Sequence, residues 1–410
     1  MSFQLNSFVD LIKSYPSWET LKAFLVSTDG GSLRVLDTPN PSYSIIRYVK
    51  GKSDFTKSWV REARSIVWDV SSNRPVCFAP IKAEKGSPPK DLSGGIISDF
   101  VDGTMINAFR PASGPAIITT RTSLGAENVY YDFYSNPPLK FSQMFNEALS
   151  SFGGYPNFLD TVLKPGQFAS FVLQHPHNRI VAPVSFPRIF VTQMGSVNSD
   201  GSASITVDPP SFPVGLLPLV ARSYEAPVQF KDLCKKNSYV WQGLVFQDSA
   251  SPRRWRLRNS SYTVVRTLRG AEACGFERFL RLRREGSVKE YLKTYRDESK
   301  MMWAFETLFR TTTQNLYDSY VDKNKLKKKE MKEIDLPLRP HVYALHGKYL
   351  QSVKAVKEYE EEKAKGNPGT PSAVIPITKE FVIDYVNTLS IDDQKRLVGT
   401  SYSTILASGS

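Results

Sequence analysis

Apolar and polar residues alternate in short runs up to about Gly270, after which the period changes. Alternation at every second position marks half-buried strands, and recurrence at three and four marks helices. Strand-like runs are Leu33–Leu36, Tyr43–Val49, the end of Arg61–Val70, Pro75–Ala79, Ser98–Arg110, Ala116–Thr122, Phe168–Leu173, Arg179–Val184, Arg188–Met194, Val240–Phe246 and Trp255–Val265. Ser71-Ser72-Asn73-Arg74 reads as a turn, which makes the two runs around it a hairpin. Residues 3–28 read as a helix pair, and Phe141–Phe152 has helical spacing. Pro80–Gly95, rich in Lys, Pro and Gly, reads as an exposed loop. Within Ser98–Arg110, Asp102-Gly103 puts a kink into an otherwise continuous strand pattern. Beyond Gly270, Phe276–Arg296, Lys300–Val321, Leu345–Lys365 and Thr378–Thr388 are helical, with Gly366–Pro376 a linker before the last. The expected fold class is α+β, with antiparallel sheets in residues 1–270 and an all-α domain in 271–410.

Composition adds one constraint and removes several alternatives. A net charge of +13 favours polyanionic partners, above all nucleic acid. No apolar run approaches the length of a membrane span, and Asp10 and Lys13 interrupt the apolar start, which argues against a signal peptide. Cys77, Cys234 and Cys274 are too far apart for a zinc site and fit free thiols in a reducing compartment, so a cytoplasmic location is expected. His175 and His177 are the only close histidine pair, without a supporting carboxylate or cysteine cluster. No metal site is expected. From Arg253 to Arg296 arginines interleave with aromatics, a composition suited to phosphate contact and base stacking. Arg253, Arg254, Arg266, Arg269, Arg281 and Arg284 are the candidates there. The alternative is an amphipathic helix that buries Phe276, Phe279, Leu280 and Leu282 and leaves its arginines to solvent. Lys323–Lys332 reads as a solvated connector.

Six segments, in order, carry a resemblance: R-E-A-R-S-I-V-W-D at Arg61–Asp69, F-V-D-G at Phe100–Gly103, T-T-R-T at Thr119–Thr122, F-V-L-Q-H-P-H-N-R-I-V at Phe171–Val181, W-Q-G-L-V at Trp241–Val245, and R-L-R at Arg256–Arg258 with Tyr262 beyond it. Together they resemble the bacteriophage-type RNA ligases, members of the covalent nucleotidyltransferase superfamily. The resemblance spans most of residues 1–300. It implies an antiparallel, ATP-grasp-like adenylation domain followed by a helical domain that helps choose RNA. It also implies nucleotide- or phosphate-binding roles for Arg64, Asp102, Gly103, Arg121, Arg179, Arg256 and Arg258.

Three positions depart from the family pattern. The adenylated lysine of Lys-x-Asp-Gly is Phe100. The ribose-binding glutamate is Val172. The metal-binding glutamate is Gln242. Phenylalanine has no lone pair with which to attack a phosphate. Valine offers Mg²⁺ nothing, and glutamine only a neutral carbonyl. Arginine at 256 and 258, in place of the family's lysines, still binds phosphate bidentately. No catalytic residue is therefore expected, and no cofactor. ATP and Mg²⁺ would enter only if a displaced lysine, Lys82 or Lys85, served as nucleophile. Asp102-Gly103 is then either a relic of nucleotide contact or a turn the strand requires, and losing the lysine favours the turn. Phe100 and Val172 are expected to fill part of the former pocket.

The leading expectation is a catalytically degenerate RNA-ligase-like protein that binds nucleic acid or serves a structural role. Because the family is largely viral, protein partners in a viral assembly and a location in a virion or host cytoplasm follow from the resemblance. The rivals are an active ATP-dependent RNA ligase or repair enzyme with a displaced lysine, and a protein–protein module such as a minor capsid component.

Overall fold

The computed structural model describes residues 2–88, 95–130, 137–207, 219–220, 222–225, 228–366 and 370–408. They form two compact units, one within residues 2–130 and 139–269, the other within residues 137–138 and 270–408. The expected class is met. The first unit carries three sheets, antiparallel but for two short strands, and the region beyond Gly270 is helical.

The Gln167–Gln174 strand is the spine of the first unit. Its run Q-F-A-S-F-V-L-Q is nearly all buried because both faces are covered. Phe168 enters a core with Phe8, Trp68 and Phe78. Ala169, Phe171 and Leu173 point the other way, into a core with Phe145 and Phe158. On one side this strand pairs with Thr104–Phe109, which pairs with Ile117–Thr119. On the other it pairs with Arg188–Val197, followed by Ala203–Thr206 and Ser2–Leu5. A second sheet runs Ser223–Tyr224, Gly95–Asp99, Gly243–Asp248, Arg254–Arg258, Glu84–Lys85. The third is the meander Arg34–Asp37, Tyr43–Arg47, Ile66–Asp69, Arg74–Phe78. Its last turn is the expected hairpin. The Asp69 carboxylate accepts the N–H groups of Ser71 and Ser72, and Asn73 takes φ of 51°.

Several expected elements are corrected. Ser98–Arg110 is not one kinked strand. The strand of the second sheet ends at Asp99, and Phe100–Gly103 crosses to the first sheet, where Thr104 begins a new strand. Arg179–Val184 is not a strand, because the Val181 and Ala182 N–H groups bond the Asp102 carboxylate instead of a neighbouring strand. Trp255–Val265 breaks at Asn259, whose side chain accepts the Ser261 N–H at 3.1 Å and starts the helix Ser260–Arg269. Residues 3–28 hold the strand Ser2–Leu5 before the helices Val9–Ser14 and Trp18–Val26. Part of the Pro80–Gly95 loop, residues 89–94, and part of the Gly366–Pro376 linker, residues 367–369, lie outside the described residues.

The second unit contains helices Gly275–Arg284, Val288–Thr294, Ser299–Tyr320, Arg339–Ala364 and Lys379–Thr388, and two that periodicity did not reveal, Ile391–Val398 and Ser401–Ser408. Phe276, Phe279, Leu280 and Leu282 are all buried. Arg278, fully buried, lies 3.6 Å from Glu298, which also accepts the Tyr291 hydroxyl at 2.6 Å. No described helix is long and apolar enough to cross a membrane.

One buried acid sets a pH dependence. Glu62 accepts the Ser7 hydroxyl at 2.7 Å, while its Oε2 is buried with no hydrogen-bond partner. Burial pushes its pKa from 4.5 to about 7, against the weaker pull of Ser7. The folded state therefore holds a proton that the unfolded chain has released. Stability from this group is complete below pH 4.5 and is lost as pH rises to about 7, by roughly 3 kcal/mol in total. Glu62→Gln is expected to remove that slope and to melt above the parent at pH 8, with little change at pH 4.5. Thermal unfolding at the two pH values checks this.

Candidate anion-binding site

The crossing segment Phe100–Gly103 forms one wall of a cavity of about 450 Å³ between the first and second sheets of the first unit. Two motif glycines are there because backbones approach closely. A Cβ on Gly103 would sit 2.4 Å from the Leu173 carbonyl oxygen, and one on Gly243 would sit 2.0 Å from that of Leu257. Asp102 fixes the crossing. Its Oδ1 accepts the Tyr262 hydroxyl at 2.7 Å, and its Oδ2 accepts Val181 N at 3.0 Å and Ala182 N at 3.3 Å. Burial and the Asp102 charge hold the Tyr262 phenol far above its ordinary range, so it stays a donor. The oxygens of Asp102 are thus engaged by protein.

Arg254–Arg258 reads R-W-R-L-R. Trp255 is buried, whereas Arg254, Arg256 and Arg258 all line the cavity, as positions two apart on a strand do. Arg64 and Arg266 join them, and the apolar lining includes Phe100, Met105 and Val172. The Phe100 ring centroid lies 5.5 Å from the Arg258 guanidinium carbon. Val172 and Gln242 also line the cavity. Phe100 and Val172 narrow the space without closing it.

The site is strongly cationic and poorly compensated. Among the described residues, Arg64, Arg121, Arg254, Arg256 and Arg258 make no ion pair. Arg64 donates to the Pro80 carbonyl at 3.3 Å and Arg254 to that of Ile81 at 3.4 Å. The Nε atoms of Arg254 and Arg258 are buried without a hydrogen-bond partner. Burial, with the charge of Arg64, pulls Arg254 down to about 9. Burial, then the neighbouring Arg256 and Arg266, lowers Arg258. These guanidiniums remain charged at neutral pH, and a bound anion would relieve their repulsion.

The residues present do not fit Mg²⁺. The carboxylates on the cavity wall are Asp99 and Asp102. Asp99 accepts Tyr224 Oη at 2.6 Å and Trp241 Nε1 at 2.7 Å, and lies 3.4 Å from Arg222 Nε. No described group of three His, Cys, Asp or Glu residues could hold a metal ion. His175, one of the close pair, bonds Glu147 at 2.9 Å.

The other candidates separate by location. Arg121 stacks 4.6 Å from the Tyr48 ring centroid and donates to the carbonyls of Arg64 and Tyr48, both at 3.1 Å. Arg179 is buried, donates to the Val181 carbonyl at 3.3 Å and does not line the cavity. Arg253 is exposed, 3.7 Å from Glu84. Arg266 donates to the Tyr262 hydroxyl at 3.2 Å. Arg269 is 1% exposed and donates to the Arg179 carbonyl, so it has no surface to offer nucleic acid. In the second unit Arg281 pairs with Glu272 at 2.6 Å and Glu285 at 2.9 Å, and Arg284 donates to the Leu389 carbonyl. Sequence reasoning missed Gln193, which lines the cavity and donates to the Phe78 carbonyl at 2.8 Å. Its signal was available: it shares the buried phase of its strand with Ile189 and Val191.

No family model matches the chain, and no curated protein matches it by sequence. Among solved structures, an archaeal ATP-dependent RNA ligase, form 1, aligns at 14% identity and a TM-score of 0.38, over 72% of this chain and 77% of that one.

Proposed function

We propose that this chain is an RNA-ligase-like protein that binds phosphate-bearing nucleic acid non-covalently and does not adenylate itself. The observation that carries the reading is the arginine stripe Arg254, Arg256 and Arg258, without carboxylate partners, facing a cavity whose nucleophile position is Phe100. Supporting it are the motif-order residues Arg64, Val172 and Gln242 on the same walls. An arginine stripe binds phosphate without chemistry, and a phenyl ring cannot form a phosphoramide.

A second reading has its own observation. Lys82 lines a smaller cavity together with Phe100, and burial, then Arg256, Lys50 and Arg121, lowers its pKa. A lysine so placed could be an amine nucleophile. Incubation with Mg²⁺ and α-labelled ATP or GTP, followed by denaturation, decides between the two. The expected result is no acid-labile label on the protein, together with salt-sensitive RNA binding by the folded sample. Label mapped to Lys82 establishes the displaced-nucleophile reading. Absence of both label and RNA binding favours a protein–protein module.

A further inference from the structure

Resting on the reading above, we infer that the site takes a polyphosphate chain, that of a free nucleoside triphosphate or of an RNA 5′ end, and holds it through arginine and lysine without a divalent cation. The smaller cavity, about 160 Å³, shares Arg64, Phe100, Val245, Arg254 and Arg256 with the larger one. It adds Lys82 and Arg121, and among the described residues no carboxylate lines it. The larger cavity supplies what a nucleoside needs: the apolar side chains of Met105, Val172 and Val191 beside the polar Gln193 and Gln242. The smaller supplies only aromatic and aliphatic walls around cations.

Charge selects the ligand. A single phosphate carries ~2 negative charges at most. Arg64, Lys82, Arg121, Arg254 and Arg256 together present five positive groups with no ion pair among the described residues. One phosphate leaves most of that charge uncompensated, whereas a chain of phosphates matches it. Arg254 lines both cavities, and its buried Nε has no hydrogen-bond partner among the described residues. Where Mg²⁺ ordinarily neutralises a phosphate chain, its ligands here are missing or engaged, and the guanidiniums take its place.

The test compares one RNA sequence with a 5′-triphosphate or a 5′-hydroxyl, measured by fluorescence anisotropy on the full chain in EDTA and in Mg²⁺, with ATP as competitor. The triphosphate RNA is expected to bind at least ~10-fold tighter than the hydroxyl RNA, with EDTA changing its affinity less than ~2-fold. Lys82→Met, at a side chain that lines the smaller cavity and not the larger, is expected to erase most of the preference while leaving hydroxyl RNA bound, and circular dichroism confirms the variant is folded. ATP competing at the concentration of the RNA assigns the free nucleotide as the source. Competition by triphosphate RNA alone assigns the RNA end. Equal affinity for the two RNAs, or loss of triphosphate binding in EDTA, overturns the inference while non-covalent RNA binding stands. Failure of either RNA to bind overturns both.

Discussion

Replacing Arg256 and Arg258 together with alanine is expected to weaken binding of single-stranded RNA on the order of 100-fold at low salt. Each charge-assisted hydrogen bond to a phosphate contributes ~1.5 kcal/mol or more, and two such losses compound to that factor. The dependence on salt should change in parallel. Log affinity falls linearly with log salt, with a slope of roughly −0.7 per phosphate neutralised on a single strand, so the slope should flatten by about 1.4. Stability should hold or rise, because neither arginine makes an ion pair among the described residues and their cationic neighbours repel them. A variant that melts early and keeps its slope would mean that the two arginines serve the fold and not the ligand. Titrations at four salt concentrations, beside a melting curve, separate these outcomes.

Asp102→Ala is expected to do the reverse, damaging the fold before it damages any contact with a ligand. It strips the acceptor from the Tyr262 hydroxyl and from the Val181 and Ala182 N–H groups, all at a residue 8% exposed. Leaving two buried donors and one half-buried donor unpaired costs on the order of 3–5 kcal/mol, a large part of a domain's stability. Asp102→Asn keeps one acceptor oxygen and should lose less. Urea unfolding followed by far-UV circular dichroism measures both. A stable Asp102→Ala protein that fails to bind RNA would return Asp102 to the ligand.

What could be read from the sequence divides along the reach of the forces. The α+β class was legible because alternation and helical spacing are local, and the change near Gly270 is abrupt. Arg256 and Arg258 were singled out by the resemblance, whereas the strand that puts Arg254 on the same face was expected to start only at Trp255. The crossing at Phe100–Gly103 was not, since apolar alternation continues through it and its anchor, Tyr262, lies 160 residues away. Arg179–Val184 looked like a strand because Ile180, Val181 and Val184 are β-formers, but the Asp102 carboxylate claims two of its N–H groups. The helix Ser260–Arg269 was hidden by its β-branched Thr263, Val264 and Val265, and the structure shows Asn259 capping its start. Among the arginines, the buried Arg269 could not be told from a surface one, because what holds it is the carbonyl of Arg179.

The most direct test of the account is a crystal structure of the protein grown with a 5′-phosphorylated oligonucleotide. Phosphate density is expected in the cavity between the sheets, within hydrogen-bonding distance of the guanidiniums of Arg256 and Arg258, with no covalent bond to any lysine. Phosphates bound elsewhere, with the cavity arginines turned onto protein carboxylates, would contradict it.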